Sequence, residues 1–342
     1  MSDFFRNLIK ELKDEDTTLA VDGSGSAEFG GFIDTGSFIL NAVLSGSLYG
    51  GVPDNKVTAF AGESATGKTY FVLGVVRSFL EKNPTGGVVY YDTEAAVTKQ
   101  MMEERGIDTA RVIIAEPDTI QKFKTHALKL LDAYELKKPE DRPPMMFVLD
   151  SLGMLSTSKE MEDSLEGKDT RDMTKAQIIK AAFRVLTLKL ARVKIPLLVT
   201  NHVYELVGSY IPTKELGGGT GLKYAASTIA MLSKRKEKDG GDVVGNIVKI
   251  KMYKSRLSKE NSQAEVLLTY EKGLDRYYGL LELAEKHGII KKSSTRYELP
   301  DGSLAFGKHI NEEPEKYFTD EVMKRLEEAA QKEFKYGVNY EQ

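Results

Sequence analysis

Several residue groups in this sequence combine the types and spacing that chemistry requires. Gly62-Glu63-Ser64-Ala65-Thr66-Gly67-Lys68-Thr69, followed by Tyr70, fits the pattern G-x-x-x-x-G-K-[ST] of a phosphate-binding loop. Its glycines let successive backbone N–H groups curl around phosphate oxygens. Lys68 is spaced to reach the β- and γ-phosphates of ATP, Thr69 offers a hydroxyl to Mg²⁺, and the helix that follows points its positive end at the anion. Asp150 closes the apolar run Met145–Asp150, which sets a carboxylate at the C-terminal edge of a strand, where ligands of α/β sheets sit. There it holds Mg²⁺ through water. Glu94, in Asp92-Thr93-Glu94, follows another strand and is placed to polarise the water that attacks a γ-phosphate. Asn201-His202 follows Leu197-Leu198-Val199-Thr200, with His202 placed to sense the same phosphate. By spacing alone, these three positions can also be read as polar strand caps or a structural histidine. The loop cannot, because a strand precedes it and a helix follows it.

The elements that position these residues alternate short β-rich runs with amphipathic segments, which predicts an α/β core with a largely parallel, twisted sheet. The strands are Lys56–Ala61, Gly87–Asp92, Arg111–Ala115, Met145–Asp150 and Pro196–Thr200, each an apolar run of the kind buried on both faces. Helices fall near 68–81, 97–105, 119–136 and 171–193. In the last, Ile178, Ala182, Val185, Leu186, Leu190 and Val193 recur at steps of three and four and predict one apolar face. Beyond about residue 228, Thr228–Ser233, Asn246–Tyr253 and Gln263–Tyr270 read as antiparallel strands added to that sheet. They are joined by the turn-rich Asp239-Gly240-Gly241-Asp242 and the basic Lys254–Asn261. A helix at 279–287, a hairpin-like stretch at 289–306 and a charged helix at 319–334 predict a small C-terminal α+β domain. A helix near 3–13 precedes a Gly/Ser-rich linker at 22–31. The expected division is therefore a helical, oligomerising arm at 1–34, the ATPase-like core at 35–274 and the C-terminal domain at 275–342.

Composition narrows the function further. With no cysteine among 342 residues, a disulfide scaffold, a thiolate metal site and a cysteine nucleophile are all excluded. Four scattered histidines make no metal cage. No run approaches the roughly 20 apolar residues that span a bilayer, and the N-terminus lacks the pattern of a signal peptide, so the expectation is a cytoplasmic protein without a membrane partner. Lys and Arg number 48 against 51 Asp and Glu, a net charge of −3, so any nucleic-acid site must be local. Two polar segments, Ser156–Thr170 and Val203–Gly219, are too long for tight connections. Loops of that length are functional or disordered. Finally, Lys254 and Arg256 flank a single residue, so on an extended strand end both side chains project to one side.

Together with Thr35-Gly36-Ser37, Leu44-Ser45-Gly46, Glu116-Pro117-Asp118-Thr119, Leu149-Asp150-Ser151-Leu152-Gly153, Gly217-Gly218-Gly219-Thr220-Gly221-Leu222-Lys223-Tyr224 and Lys254-Ser255-Arg256, these motifs resemble the RecA family of strand-exchange recombinases, and within it the phage UvsX type. The likeness runs from about residue 35 to 306. It implies a RecA-like ATPase core and a DNA-dependent ATPase that uses ATP and Mg²⁺. Such a protein forms helical filaments on single-stranded DNA, pairs it with homologous duplex DNA, and works with a single-stranded-DNA-binding protein and a loading mediator in the cytoplasm of a host cell. Residue by residue, the resemblance implies Glu94 as the catalytic carboxylate and Ser151 as support for the metal site. His202 would couple γ-phosphate to DNA, and Lys254 and Arg256 would reach ATP on the neighbouring subunit. It also implies DNA contacts from Lys159 and Lys168 in the first long segment and from Arg171 just after it. In the second, Tyr204, Tyr210, Lys214, Gly217, Gly218 and Gly219 would make them. Phe29–Ile33 is the expected oligomerisation segment. A ring-shaped helicase motor shares such a core, and a small-molecule kinase shares the loop. The order of motifs along the chain disfavours the helicase motor, and the kinase gives no reason for two long segments together with a Lys-x-Arg pair.

Overall fold

The computed structural model describes residues 2–12, 17–22, 28, 30–168, 172–205 and 214–337. Helix α1 (Ser2–Leu12) leaves Phe4, Phe5, Leu8 and Leu12 exposed. Strand β1 (Phe32–Ile33) pairs antiparallel with β2 (Val52–Pro53) across helix α2 (Phe38–Ser45). Helix α2 starts after Thr35-Gly36-Ser37 and runs into Leu44-Ser45-Gly46; periodicity does not signal it, because all eight of its residues are buried and it shows no polar face. The core then runs β3 (Val57–Gly62), α3 (Lys68–Lys82), β4 (Gly87–Asp92), α4 (Lys99–Glu103), β5 (Val112–Ala115), α5 (Ile120–Glu135), β6 (Met145–Asp150), α6 (Ser158–Leu165), α7 (Lys175–Arg192), β7 (Leu197–Glu205), β8 (Lys214–Leu216) and α8 (Thr220–Ala225). The antiparallel extension follows as β9 (Thr228–Asp239), β10 (Asp242–Ser255), β11 (Gln263–Thr269) and β12 (Gly273–Leu274).

These strands form one ten-stranded sheet in the order β12-β11-β10-β9-β3-β7-β6-β4-β5, with β8 paired to β7. Pairing is parallel from β9 through β5 and antiparallel from β9 out to β12. Alternate residues of the central strands feed two apolar cores. Phe60, Val88, Tyr90, Met146, Val148 and Leu198 enter the core with α2 and α3. Ala59, Ala61, Val89, Tyr91, Phe147, Leu149 and Val199 enter the core with α5 and α7. Period-two alternation between two covered faces is what an apolar run without polar gaps encodes.

Some expectations need correction. Arg111–Ala115 is not buried on both faces: Ile113 is 56% and Ile114 42% exposed, because β5 ends the sheet and pairs only with β4. The inward face of α7 is Ile179, Ala182, Phe183, Leu186 and Leu190, whereas Val185 is exposed, so the stripe is rotated by one residue at its start. The segment 156–170 is not all loop. Thr157 and Glu160 form a capping box that starts α6, and Thr157 Oγ1 donates to Asp172 Oδ2 at 2.7 Å. Strands β7, β9 and β10 run past their expected ends because antiparallel partners continue the ladder where burial stops. The hairpin-like stretch is a three-stranded sheet of β13 (Lys291–Ser293), β14 (Arg296–Glu298) and β15 (Leu304–Phe306).

The C-terminal segment carries α9 (Leu280–Lys286), α10 (Gly307–Glu312), α11 (Pro314–Tyr317) and α12 (Asp320–Phe334). Leu283, Val322, Leu326 and Ala330 enter the same apolar core as Val43 and Leu44 of α2. Leu48 N–H donates to Glu327 Oε2 at 2.7 Å and Lys259 N–H donates to Phe334 C=O at 2.7 Å, which fixes that end against the chain after α2 and the turn after β10. Of the expected oligomerisation segment, Phe29 lies outside the described residues, and Phe32–Ile33 is the internally paired β1.

Candidate functional site

The phosphate loop joins the C-terminal end of β3 to α3. Gly67 caps α3 at φ 90°, a left-handed conformation in which a β-carbon is disfavoured, and a β-carbon there would also meet Leu268 at 3.2 Å. Thr66 Oγ1 donates to Glu63 C=O at 2.9 Å and braces the loop. Lys68 is 7% exposed and folds back, its Nζ donating to Gly62 C=O at 3.1 Å and Glu63 C=O at 2.8 Å. Burial holds its pKa below the ordinary lysine value, and the Glu94 and Asp150 carboxylates partly oppose that shift. Ser64, Ala65 and Tyr70 complete the loop and first turn, with Ala65 at φ 58°.

Thr69 Oγ1 donates to Asp150 Oδ2 at 2.8 Å, so the two expected metal-side groups meet. Asp150 stands at the end of β6, beside Asp92 in β4, and Asp92 accepts the N–H groups of Glu94 and Val97 to shape the turn that carries Glu94. Ser151 Oγ donates to Glu94 Oε1 at 2.6 Å, and Thr93 Oγ1 ties that turn to the Ser151 backbone at 2.8 Å. The Ser151 hydroxyl therefore serves Glu94 rather than the Thr69–Asp150 pair. His202 Nε2 lies 3.0 Å from the same Glu94 oxygen. A carboxylate only accepts, so the imidazole carries its proton on Nε2 in that contact. Burial pushes the Glu94 carboxyl up, but the hydrogen bonds from Ser151 and His202 outweigh it and the net pKa is lowered.

Asn201 and His202 do not follow a strand; they lie within β7, where His202 is paired with Gly62 at the start of the phosphate loop. The same strand leads to the second long segment. Gly217 N–H donates to His202 C=O at 2.9 Å, and Asn201 Nδ2 donates to Gly217 C=O at 2.8 Å. Gly218 and Gly219, at φ 78° and 74°, then turn the chain into α8. Tyr204, Gly217, Gly218 and Gly219 share a cleft of about 620 Å³ with Asp172, Lys175 and Ala176, so the bases of both long segments open on one space. Lys159 is exposed on α6, and Lys168 pairs with Glu166 at 2.5 Å. Arg171 and Tyr210 lie outside the described residues; Lys214 begins β8.

Lys254 and Arg256 are elsewhere. Ser255 is paired with Thr228 of β9, and Thr228 with Thr58 near the start of β3. Their level in the sheet is thus four residues from Gly62, roughly 13 Å along the strand and away from this chain's own phosphate loop. Lys254 Nζ donates to Lys223 C=O at 2.6 Å, and burial, then Arg256, lowers its pKa. Arg256 opens with Lys56, Lys180 and Arg184 on a cleft of about 660 Å³. That cleft is at the wrong end of the sheet for the phosphate loop. Sequence reasoning missed Tyr90 and Thr200, both of which donate to Asp150. The signal for them was a polar atom inside an otherwise apolar strand.

Known proteins with this arrangement can now be compared. The profile of the RecA N-terminal domain matches residues 18–275. The "Recombination and repair protein" of Enterobacteria phage T4 is 33% identical over 254 residues, covering 74% of this chain and 63% of that protein's length. "Protein RecA" of Streptomyces venezuelae is 27% identical over 304 residues, covering 86% of this chain and 76% of that protein. A crystal structure of the RadB recombinase superposes with a TM-score of 0.52 at 20% identity, over 72% of this chain and 99% of that one, a likeness of fold. With a phosphate loop leaving β3, an acidic strand end two strands away and a profile match over most of its length, the chain belongs to the RecA N-terminal domain family.

Proposed function

We propose that this chain is an ATP-dependent recombinase that forms helical filaments on single-stranded DNA and pairs it with homologous duplex DNA. The observation that carries the reading is the continuous hydrogen-bonded link from the nucleotide site to the second long segment: Ser151 to Glu94, Glu94 to His202, His202 to Gly217. A γ-phosphate that contacts Glu94 or His202 thereby biases the segment that ends at Gly217–Gly219. A ligand shifts such an equilibrium only by its differential affinity for the two forms, and the γ-phosphate supplies that difference.

In this reading Gly62–Tyr70 holds ATP, and Lys68 exchanges the two loop carbonyls for phosphate oxygens. Thr69 and Asp150 hold Mg²⁺, for which paired hard oxygen donors fit. Mg²⁺ of this kind is usually held by one or two protein groups, with the nucleotide phosphates and water as its other ligands. Mg²⁺ neutralises charge developing on the phosphates. Glu94 orients the attacking water. Lys254 and Arg256 lie at the far end of the sheet from their own loop, which supports a role on ATP of the neighbouring protomer in a head-to-tail open helix. The exposed stripe on α1 supports self-association. Lys159, Lys168, Arg171, Tyr204, Tyr210, Lys214 and Gly217–Gly219 are the DNA contacts in this reading, a local site that the −3 net charge allows. No helix among the described residues is long and apolar enough to cross a membrane. The setting that suits this activity is the cytoplasm, host cytoplasm for a phage protein, with a single-stranded-DNA-binding protein and a loading mediator as partners.

The test is hydrogen exchange over 156–170 and 203–219 with single-stranded DNA and a non-hydrolysable ATP analogue. Both segments are expected to gain protection only when both ligands are present. Log affinity for DNA should fall linearly with log salt, by about 0.7 per phosphate neutralised. DNA binding with neither segment protected would contradict the assignment.

A further inference from the structure

Asp150 receives more hydrogen bonds than the phosphate loop provides. Thr69 Oγ1 donates to Oδ2 at 2.8 Å, Tyr90 OH donates to the same oxygen at 2.7 Å, and Thr200 Oγ1 donates to Oδ1. Thr69 is part of the loop. Tyr90 and Thr200 are not: they come from β4 and β7, the two strands that flank β6. Both are 0% exposed. Their neighbours on the same face, Val88 and Leu198, are wholly apolar. Phe would fill the place of the Tyr90 ring, and Val that of Thr200. Burying a hydroxyl costs free energy unless it is bonded, so two buried hydroxyls converging on one carboxylate point to the carboxylate as their purpose.

A carboxylate offers about four acceptor sites. Three are taken here by side-chain hydroxyls. The geometry points to Tyr90 and Thr200 as positioning residues that clamp Asp150 from both flanking strands, so that it presents a single acceptor direction, toward a water bound to the Mg²⁺ of the nucleotide. The carboxylate then holds the ion through that water and cannot swing to bind it directly with both oxygens. This rests on the reading above that Asp150 faces Mg²⁺-nucleotide. Partners that orient a ligating carboxylate typically change metal affinity 10- to 100-fold when removed.

The experiment is equilibrium binding of a fluorescent ATP analogue to the whole chain, titrated with Mg²⁺, for the unmodified protein, Tyr90→Phe, Thr200→Val, their combination, and Thr200→Ser. Tyr90→Phe and Thr200→Val nearly conserve volume, Thr200→Ser loses one buried methyl, and circular dichroism confirms the fold. Expected for the combination is about a tenfold rise in the Mg²⁺ concentration at half-saturation. The plateau at saturating Mg²⁺ should be unchanged, the single variants intermediate, and Thr200→Ser like the unmodified protein. Should the combined variant fail to fold, the single variants decide. An unchanged or lower Mg²⁺ requirement in the hydroxyl-deleted variants overturns the clamp, and so does a shift in Thr200→Ser, which keeps the hydroxyl. If the unmodified chain binds nucleotide with no Mg²⁺ dependence, the reading that Asp150 faces Mg²⁺-nucleotide fails and takes the clamp with it.

Discussion

Replacing Lys254 and Arg256 together by alanine is expected to lower DNA-stimulated ATP hydrolysis by about 10³-fold or more, the range seen when a cation supplied in trans is lost from phosphoryl transfer. That corresponds to about 4 kcal/mol of transition-state stabilisation. Nucleotide binding by the isolated protomer should persist, because the pair sits roughly 13 Å down the sheet from its own loop. ATP-dependent assembly should be lost along with hydrolysis. The trans geometry makes a sharper demand. Mixing this variant with Glu94→Gln should restore some hydrolysis, since one kind of interface then combines an intact Glu94 with an intact cationic pair. No recovery, in mixtures that electron microscopy confirms as mixed filaments, contradicts action in trans.

Glu94→Gln alone is expected to bind ATP normally and hydrolyse it about 10²- to 10⁴-fold more slowly, the usual loss when a positioned base is removed. Gln keeps an oxygen for Ser151 and His202 but has no basic carboxylate to orient and polarise water. Lys68→Ala should behave differently and abolish tight ATP binding, because Lys68 pairs with phosphate charge in the ground state as well as in the transition state. The acid limb of the unmodified enzyme follows from the lowered Glu94 pKa. The hydrogen bonds from Ser151 and His202 keep the carboxylate ionised to lower pH than an ordinary glutamate, so activity that depends on it should be lost only on the acid side of the usual glutamate range. An unmodified hydrolysis rate in Glu94→Gln would remove Glu94 from the reaction.

Much of this was legible in the sequence where a pattern had one physical solution. β4 and β6 begin and end at the residues expected, since an apolar run closed by Asp admits little else. The phosphate loop was read from its spacing and its flanks. Less legible was whatever depends on a neighbour. Strand β5 carries the same apolar signal as β6, but only the strand order shows that it is the outermost and leaves Ile113 bare. Tyr90 and Tyr91 are adjacent and alike in sequence. The pairing of β4 with β6 decides that Tyr90 reaches Asp150 while Tyr91 faces His126 at 3.2 Å. The capping box at Thr157-x-x-Glu160 was present as a pattern in a segment otherwise read as loop. For Lys254 and Arg256, spacing gave a common direction, and only the register through Thr228 to Thr58 gave their distance from the loop.

The central claim is an ATP-gated helical filament on DNA, and negative-stain electron microscopy of the chain with single-stranded DNA and a non-hydrolysable ATP analogue tests it most directly. The account predicts continuous helical filaments with both ligands and their absence in Lys254→Ala/Arg256→Ala. Closed rings, or isolated particles at saturating nucleotide and DNA, would contradict it.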